Sequence, residues 1–227
     1  MRQRRLVIAI DGPAGSGKST TAKLVAEKLG YLHIDTGAMY RAVALKVLRS
    51  KIDPHDAHAI EGMLRSTKVE LRRTSGTISV LLDGEEVSRE IRTPEVTHAS
   101  SAVSRHKVVR QAMVREQRRM GEEGGVVLEG RDIGTVVFPD ADLKFFVVAH
   151  IEERARRRQK DLRALGRDSS VEELIGEMEE RDRRDSTREE SPLRRASDAL
   201  ELDTSCLTID DQVRFVLEKV REKLRET

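Results

Sequence analysis

A strand, a glycine-rich loop and a helix follow one another without a break near the start of the chain. This order constrains the fold more than any other feature. The apolar run over 6–10 is typical of a buried strand, and 12–19 reads GPAGSGKS, which matches GxxxxGK[ST]. Thr20 to Leu29 has apolar residues at helical spacing, and Gly30 predicts the helix end. Backbone N–H groups and the positive end of the helix dipole then point into one small volume, which suits a polyphosphate. In this pattern Lys18 is expected to reach the β- and γ-phosphates and the Ser19 hydroxyl to bind Mg²⁺.

Composition limits the classes of protein to consider. The 227 residues allow one sizeable core with a small inserted module. The net charge is only +2 and aromatic content is 3% without Trp, which argues against nucleic acid as the main partner. No apolar run approaches the roughly 18 residues of a membrane span, and no signal peptide is predicted because the basic start leads directly into a core strand. The single cysteine, Cys206, excludes an internal disulfide and fits a cytoplasmic protein.

Short apolar strand signals recur with helical stretches between them, which favours an α/β fold. After the first strand they lie at 32–34, 126–128, 145–148 and 200–202. Such strands indicate a parallel sheet covered on both faces, here a three-layer fold of the P-loop NTPase type. Ligands of these sheets gather beyond the carboxyl ends of the strands.

One stretch departs from this alternation. Apolar residues alternate over 68–73, a turn is predicted at Thr74-Ser75-Gly76, and a second strand over 78–82 leads to an Asp83-Gly84 turn. This pattern predicts a small antiparallel β meander. We expect an inserted module over 62–97 that caps the site, with the core formed by 1–61 and 98–227. The alternative is an edge hairpin without a function.

The remaining segments are predicted to be helical. Two helices are expected between Pro94 and Met120, meeting near Arg105-His106. A very basic helix is expected from Ile151 to Leu165 with Gly166 as its cap, and a charged helix from Val171 to about Thr187. Thr208, with Asp211 three residues later, predicts the start of a C-terminal helix.

The chain has no DxxG or [NT]KxD motif, which argues against a switch GTPase, and its VVLE strand only loosely resembles the metal strand of large ATPases. A second polar cluster, DTGAMYR over 35–41, follows a strand. We expect a glycine turn there, a helix from Ala38, and Arg41 one turn later beside a second, smaller phosphate. Arg181, Asp185 and Arg188 have the spacing of one helical stripe. Converging arginines suit phosphoryl transfer, while an ordinary solvated face laced with weak ion pairs remains the alternative.

Five segments taken in order resemble one family: GPAGSGKST, DTGAMYRA, VSREIRTPEV, EGRDIGTVVFPDA and ERDRRDSTR. With them the whole chain resembles the bacterial cytidylate kinases, and the third and fourth segments are more specific than the phosphate loop. The resemblance implies transfer of the ATP γ-phosphoryl group to CMP or dCMP. It also implies the nucleoside-monophosphate kinase fold, with a parallel-sheet core, a monophosphate-binding insertion and a short helical lid around 153–167.

The resemblance further implies which residues bind the acceptor. Arg41 and Arg131 are expected to grip the CMP phosphate, and Asp185 and Arg181 to hold the sugar hydroxyls. Asp132 is expected to accept a hydrogen bond from the cytosine amine, which would disfavour uracil. The residues expected around the base are Thr36, Ser101, Arg110, Asp132 and Arg188; relatives often have Ser in place of Thr36.

The resemblance also implies an ATP site. Arg157 is expected to contact ATP, and Arg154 and Arg158 are further candidates for contact with the moving phosphoryl group. The residues expected to hold the ATP phosphates are Gly12, Pro13, Ala14, Gly15, Ser16, Gly17, Lys18, Ser19 and Thr20. The residues expected to act on the transfer itself are Lys18, Arg41, Arg131, Arg181 and Asp132.

Some alternatives stay open at this point. One alternative is another small-molecule P-loop kinase, with UMP, AMP or dephospho-coenzyme A as its acceptor instead of CMP. The other alternative is a non-catalytic nucleotide-binding regulator. Asp35 is the acid expected nearest the Mg²⁺ ion beside Ser19. A monomer is expected, with small-molecule substrates as its partners and neither nucleic acid nor a membrane among them.

Overall fold

The computed structural model describes residues 5–74, 77–164 and 166–226, and the chain divides into two units. The first comprises Met1–Tyr31 and Gly125–Thr227, and the second Leu32–Gly124. Numbered in chain order, the elements of the first unit are β1 (Val7–Asp11), α1 (Lys18–Leu29), β6 (Val126–Gly130), β7 (Leu143–Val148), α6 (Ile151–Ala164), α7 (Val171–Thr187), β8 (Leu200–Asp203) and α8 (Ile209–Arg225). Those of the second unit are β2 (Leu32–Asp35), α2 (Thr36–Arg49), α3 (Ala57–Leu64), β3 (Val69–Thr74), β4 (Thr77–Leu82), β5 (Glu85–Glu86), α4 (Pro94–Val103) and α5 (Lys107–Gly121).

Strand β1, which leads into the phosphate loop, lies between β6 and β7 in a sheet whose strands within the first unit have the order β6-β1-β7-β8. It pairs in parallel with β6 and β7, and β7 pairs in parallel with β8. In this register Ile8 lies beside Val127 on one side and Leu143 on the other. The predicted α/β class with a parallel-sheet core is confirmed.

The core of the first unit forms where α1 and α8 pack on these strands. Val25 of α1 and Val216 of α8 are fully buried in one cluster with Ile8, Val127 and Phe145. The ring of Phe145 also meets that of Phe215 edge to face, with 6.3 Å between centroids. Apolar residues at helical spacing therefore bind both helices to the sheet and hold the start of α1 at the end of β1.

Helix ends in the first unit follow the predicted caps. Gly30 ends α1 in the left-handed conformation with φ 67, and its N–H bonds the carbonyls of the last turn. Thr208 and Asp211 form a reciprocal capping box at the start of α8. Residue Leu165, the predicted end of the basic helix, lies outside the described residues; α6 is described as far as Ala164.

Helix α7 ends at Thr187, and Arg188 follows in extended conformation with φ −64 and ψ 143. The prediction that Arg188 continues the stripe of Arg181 and Asp185 is therefore wrong. The chain folds back after the helix, and the N–H of Leu193 donates to the carbonyl of Asp185 at 2.8 Å. Arg188 thus reaches its neighbours from the connection after the helix rather than from the helix face.

The antiparallel meander is present in the second unit as the sheet β3-β4-β5. Val69 lies opposite Leu82 in the first pair of strands. Asp83 and Gly84 join β4 to β5, and both have positive φ, 53 and 89, as the tight two-residue turn requires. Of the predicted first turn, Ser75 and Gly76 lie outside the described residues. The bounds of the inserted module, 62–97, stay a prediction.

Helix α2 begins earlier than expected. It starts at Thr36 rather than Ala38, and Gly37 lies in its first turn, so the predicted glycine turn is wrong. The reason is that Asp35 serves as the N-cap: its Oδ1 accepts the N–H of Ala38 at 2.9 Å. The two helices predicted over 94–120 are confirmed as α4 and α5, while α3 was not predicted.

Candidate active site

The phosphate loop between β1 and α1 has a backbone that only glycine adopts readily. Gly12, Gly15 and Gly17 have φ of 153, 73 and 88. A Cβ at Gly12 would overlap the carbonyl oxygen of Val147, and one at Gly17 would come within 3.0 Å of Gln212 Oε1. The loop therefore keeps both its conformation and its close packing only with glycine, which fits a cradle for phosphate groups.

Lys18 and Ser19 lie at the start of α1. The Lys18 side chain is buried, and its ammonium donates to the carbonyl of Pro13 within the loop at 3.1 Å. The Ser19 hydroxyl donates to a carboxylate oxygen of Glu129, a buried residue of β6. A serine hydroxyl beside a carboxylate is an oxygen-rich pair that suits a hard cation such as Mg²⁺.

The loop is supported from the side of α6 and α8. Thr204, directly after β8, donates from its hydroxyl to the Ser16 carbonyl at 2.8 Å. Arg157 donates to the Thr204 carbonyl at 2.7 Å and pairs with Glu153 at 2.9 Å. The Arg157 guanidinium thus fixes the segment that holds the phosphate loop, and its predicted contact with ATP stays a prediction.

Arg154 is the buried arginine of α6. Its guanidinium donates to the Ala14 carbonyl of the phosphate loop at 3.1 Å and pairs with Asp182 of α7 at 2.6 Å. One side chain therefore links the loop to the helix that carries Arg181 and Asp185. Arg158, the third candidate in this helix, is exposed.

Four residues of the first unit that are predicted to bind the phosphoryl acceptor, CMP, lie close together at the end of β6. Arg131 donates from Nε to Asp185 at 2.8 Å. Arg188 lies 3.9 Å from both Asp132 and Asp185, and it donates from Nε to the Ser191 carbonyl at 2.6 Å. Two arginines and two carboxylates thus share one partly buried cluster, which we call the Asp185 cluster.

Charge in this cluster is balanced around Asp185. Burial raises the pKa of this carboxyl group, but attraction to Arg131, a hydrogen bond from it, and the charges of Arg181 and Arg188 lower the pKa by more. The net result is a pKa below the usual value. Asp185 is therefore ionised at neutral pH and holds the surrounding guanidinium groups in place.

Asp11 lies at the end of β1, immediately before the phosphate loop. Its carboxylate accepts the N–H of Ile133 at 2.9 Å and that of Gly134 at 2.8 Å. Burial raises the pKa of Asp11 to about 7, against the lowering effect of those two bonds, and the charge of Asp132 raises it further. Asp11 thus connects β1 to the segment that follows Arg131.

In the second unit, predicted residues group around the start of α2. Arg41 pairs with Asp35 at 3.1 Å, while the other oxygen of Asp35 caps the helix. Thr36, in the first turn of α2, is buried. Since both oxygens of Asp35 are engaged, its geometry fits the orientation of Arg41 better than a place beside a cation.

Arg110 of α5 is also buried. Its guanidinium carbon lies 5.4 Å from the ring centroid of Tyr40, and Nη1 donates to the Ser104 carbonyl at 3.3 Å. Ser101 lies on α4, one turn before Ser104. The contact with the Tyr40 ring and the bond to Ser104 together hold the guanidinium in place.

Comparison with known proteins gives one consistent result. A family model described as cytidylate kinase matches residues 8–222. A cytidylate kinase from Geobacter sulfurreducens is 49% identical over 225 residues, which cover 99% of this chain and 97% of that protein. A cytidylate kinase from Bacillus thuringiensis is 49% identical over 214 residues, or 94% of this chain and 95% of that protein. The chain belongs to the cytidylate kinase family.

A solved structure shares the fold of this cytidylate kinase family member. The crystal structure of an uncharacterized protein from Eubacterium ventriosum has a TM-score of 0.52 and covers 96% of this chain and 99% of that chain. Its sequence is only 12% identical, so the likeness concerns the fold alone. Within the residues that the structure describes, no helix is long and apolar enough to cross a membrane.

Several contacts of this cytidylate kinase family member were not predicted from its sequence. Glu129 carries a weak signal, since an acid after an apolar strand resembles the metal strand of large ATPases. Asp11, Asp182 and Thr204 carry none, because each acts on a segment distant in sequence. In the described part of the chain no cluster of three or more His, Cys, Asp or Glu side chains has the arrangement of a metal site.

Proposed function

We propose that this chain transfers the γ-phosphoryl group of ATP to CMP or dCMP, giving CDP or dCDP and ADP. The observation that carries the proposal is the glycine-dependent phosphate loop together with the Asp185 cluster, in a chain of the cytidylate kinase family. A CMP phosphate oxygen attacks the γ-phosphorus, and the bond from that phosphorus to the β,γ-bridging oxygen breaks. The attacking oxygen is already anionic, so no general base is needed.

The phosphate loop is proposed to hold ATP. Its N–H groups and the start of α1 supply positive potential, and the Lys18 ammonium exchanges its bond with Pro13 for the β- and γ-phosphates. Mg²⁺, when bound, shields the phosphate charge. Ser19 would hold it directly, and Glu129 rather than Asp35 supplies the nearby carboxylate, because Glu129 already bonds the Ser19 hydroxyl. The predicted place of Asp35 beside the cation is thus given up in this proposal.

The acceptor is proposed to be held by charge-assisted hydrogen bonds. Arg131 in the first unit and Arg41 in the second would bind the CMP phosphate, and each is already oriented by a carboxylate. Asp185 and Arg181 would bind the sugar hydroxyls. A guanidinium fixed in advance by its partner loses little freedom when the phosphate arrives.

Asp132 is proposed to distinguish cytosine from uracil. Its carboxylate accepts from the cytosine amine, whereas uracil would present a carbonyl oxygen to it. Arg188, 3.9 Å from Asp132, and Arg110 of the second unit would donate to acceptors on the base, with Ser101 and Thr36 beside them. Polar groups left unpaired by the wrong base give discrimination of several powers of ten.

The segment over 153–167 is proposed to be the lid, which excludes water from the transfer. Arg154 and Arg157 belong to this segment and would link it to the phosphate loop through the Ala14 and Thr204 contacts. We also propose that the chain acts as a monomer. Its place would be the cytoplasm, in pyrimidine nucleotide metabolism. The core of the kinase would comprise 1–61 and 98–227.

The experiment that tests the function is ADP release with Mg²⁺ and ATP, alone and then with each candidate acceptor. The panel is CMP, dCMP, UMP, AMP and dephospho-coenzyme A, with Lys18→Ala as the inactive control. Turnover is expected with CMP and dCMP only. Equal turnover with UMP would remove the role of Asp132, and ADP release that does not depend on an acceptor would overturn the proposal.

A further inference from the structure

Asp11 is a buried carboxylate that the proposed transfer does not use. It is only 4% exposed and ends β1, with Gly130 and Phe146 as its partners on the two neighbouring strands. A residue paired on both sides in the middle of a parallel sheet has a fixed backbone. Its carboxylate is therefore held at a fixed place beyond the strand ends.

Both oxygens of this carboxylate are in use. Oδ1 accepts the N–H of Ile133 and Oδ2 accepts that of Gly134, at 2.9 and 2.8 Å. These N–H groups open the single helical turn over Ile133–Val137, whose Val136 N–H returns to the Asp132 carbonyl at 2.9 Å. Asp11 thus fixes the chain directly after Asp132.

Arg131 and Asp132 are consequently a two-residue span between two fixed points. Gly130 is fixed by the sheet on one side, and Ile133 is fixed by Asp11 on the other. A span this short has few alternative conformations. The direction of both side chains then depends on the Asp11 bonds.

Packing around Gly134 supports the same segment. A Cβ at this position would lie 3.1 Å from Cδ of Lys144 and 3.5 Å from Oδ2 of Asp11. Lys144 is itself buried and bonded to Asp198 at 2.9 Å, so its chain has little room to move. A Cβ at 134 therefore requires either the Lys144 chain or the turn to move by a few tenths of an ångström, and the bonds of Lys144 to Pro139 and Asp198 favour movement of the turn.

We infer that Asp11 is a positioning residue for acceptor recognition, which sets the direction of Arg131 and Asp132 through its bonds to Ile133 and Gly134. This inference rests on the proposed function, in which those two side chains bind the CMP phosphate and the base. It assigns Asp11 to the acceptor site although the residue directly precedes the phosphate loop. The alternative is that Asp11 shapes the loop, and the two are separated by which substrate is affected.

The test is Asp11→Asn in the full chain. An amide offers one acceptor oxygen and turns its NH₂ group toward the other backbone N–H, so one of the two bonds is lost. We expect the KM for CMP to rise about tenfold or more, because a displacement on the order of 1 Å costs up to about 10²-fold. The preference for CMP over UMP should fall severalfold, while the KM for ATP stays within about twofold.

A matched control lies at the other end of β1. Asp142 accepts the N–H of Val7 at 2.8 Å, so Asp142→Asn changes the same chemistry far along the strand from Asp11. It is expected to leave both KM values and the CMP preference as in the wild type. Gly134→Ala is a second variant without any change of charge, and it should reproduce the CMP-specific effect of Asp11→Asn.

The outcomes separate clearly. A rise in the KM for ATP equal to that for CMP, or an unchanged KM for CMP and base preference, would overturn the inference. If Asp11→Asn does not fold, Gly134→Ala decides, and a wild-type CMP profile for it counts against the inference. Failure of wild-type protein to turn over CMP would instead overturn the proposed function, so the two failures are distinguishable.

Discussion

Two arginine-rich regions of the first unit, α6 and the Asp185 cluster, both combine arginines with acids in the sequence. In the structure they differ in how far their arginines are exposed. Along α6, Arg156 and Arg163 are 68% and 61% exposed and meet single acids nearby at 3.9 and 3.4 Å. In the Asp185 cluster, Arg131 and Arg188 are only 16% and 11% exposed and share the Asp185 carboxylate. The two regions have similar composition, but only the second is shielded from water.

The difference in exposure and in shared partners indicates which arginines are suited to bind a substrate anion. An exposed ion pair contributes about 0–1 kcal/mol because water and salt screen it. A shielded guanidinium with its donors directed by a shared carboxylate keeps most of its electrostatic strength for a substrate anion. Arg154 breaks the pattern of α6, since it is buried and paired with Asp182 at 2.6 Å. Burial and shared partners, rather than density of charge, thus mark the candidate site.

The largest effect is expected at Arg131. Arg131→Met removes the donor proposed for the acceptor phosphate, and kcat/KM for CMP should fall about 10³-fold. Arg131→Lys should recover only a small part, because an ammonium cannot bond Asp185 and a phosphate with the geometry of a guanidinium fork. Steady-state assays against Arg183→Met, an exposed arginine of α7 paired with Glu180 at 2.9 Å, provide the comparison. A loss below tenfold for Arg131→Met would contradict the role given to this cluster.

Substitution of Arg154 is expected to lower stability and activity, as in the Asp185 cluster, unlike substitution of the exposed arginines of its own helix. Arg154→Met removes the donor to the half-buried Asp182 carboxylate and to the Ala14 carbonyl, so the free energy of unfolding should fall by about 1–3 kcal/mol. We also expect kcat/KM to fall about tenfold or more through displacement of the phosphate loop. Denaturant unfolding and a double-mutant cycle with Asp182→Asn measure both effects. Additive effects of the two substitutions would show that the pair does not couple the loop to α7.

A smaller effect, on stability, is expected when two acids of α7 with lowered pKa values are replaced one at a time. For Asp185 burial raises the pKa and the arginines lower it by more, while for the exposed Glu180 a hydrogen bond from Arg183 is the main cause of the lowered pKa. A lowered pKa stabilises the fold above the ordinary value of 3.8 for Asp185, and this stability is lost as the pH falls from that value through the lower pKa of the folded state. Asp185→Asn should therefore destabilise the protein by about 1–3 kcal/mol at pH 7 and by less at pH 3.

Glu180→Gln is the surface counterpart of that measurement. It should leave the melting temperature nearly unchanged at both pH values, because solvent screens an exposed pair. Thermal unfolding of both variants at pH 3 and pH 7 makes the comparison. A pH-independent effect of Asp185→Asn would mean that the charge of this carboxylate does not hold the arginines.

The parts of the fold that could be predicted are those encoded by neighbouring residues. The motif before Lys18 predicts a strand, loop and helix, and the Thr208 capping box and the Asp83-Gly84 turn give local boundaries that the structure confirms. The early start of α2 was missed although its cap is also local, because Gly37 was interpreted as a turn residue when it lies in the first helical turn.

Much of the candidate site depends on distant pairs, which a single sequence does not reveal. Asp11 and Ile133 are 122 positions apart, and Arg154 and Ala14 are 140 apart. Arg154 is one of several arginines in α6, and nothing in its type marks the contact. Asp11 is the charged residue at the end of an apolar strand, but nothing in the sequence tells which distant segment it contacts. The resemblance to a family named the residues expected to bind the acceptor, but it did not name Glu129, whose carboxylate accepts the hydrogen bond of the Ser19 hydroxyl.

The smallest effect is expected on the outer face of α6, and it tests the comparison most directly. Arg156→Ala and Arg163→Ala remove exposed guanidinium groups whose ion pairs are long and screened. Both variants should keep kcat and both KM values within about twofold and the free energy of unfolding within about 0.5 kcal/mol. Raising the salt concentration should shrink even these changes, while the Arg131 effect should persist because salt screens a partly buried group less than an exposed one. If Arg156→Ala instead lowers kcat tenfold, exposure in the structure does not separate the two arginine sets, and the outer face of the helix itself contacts the substrates during the transfer.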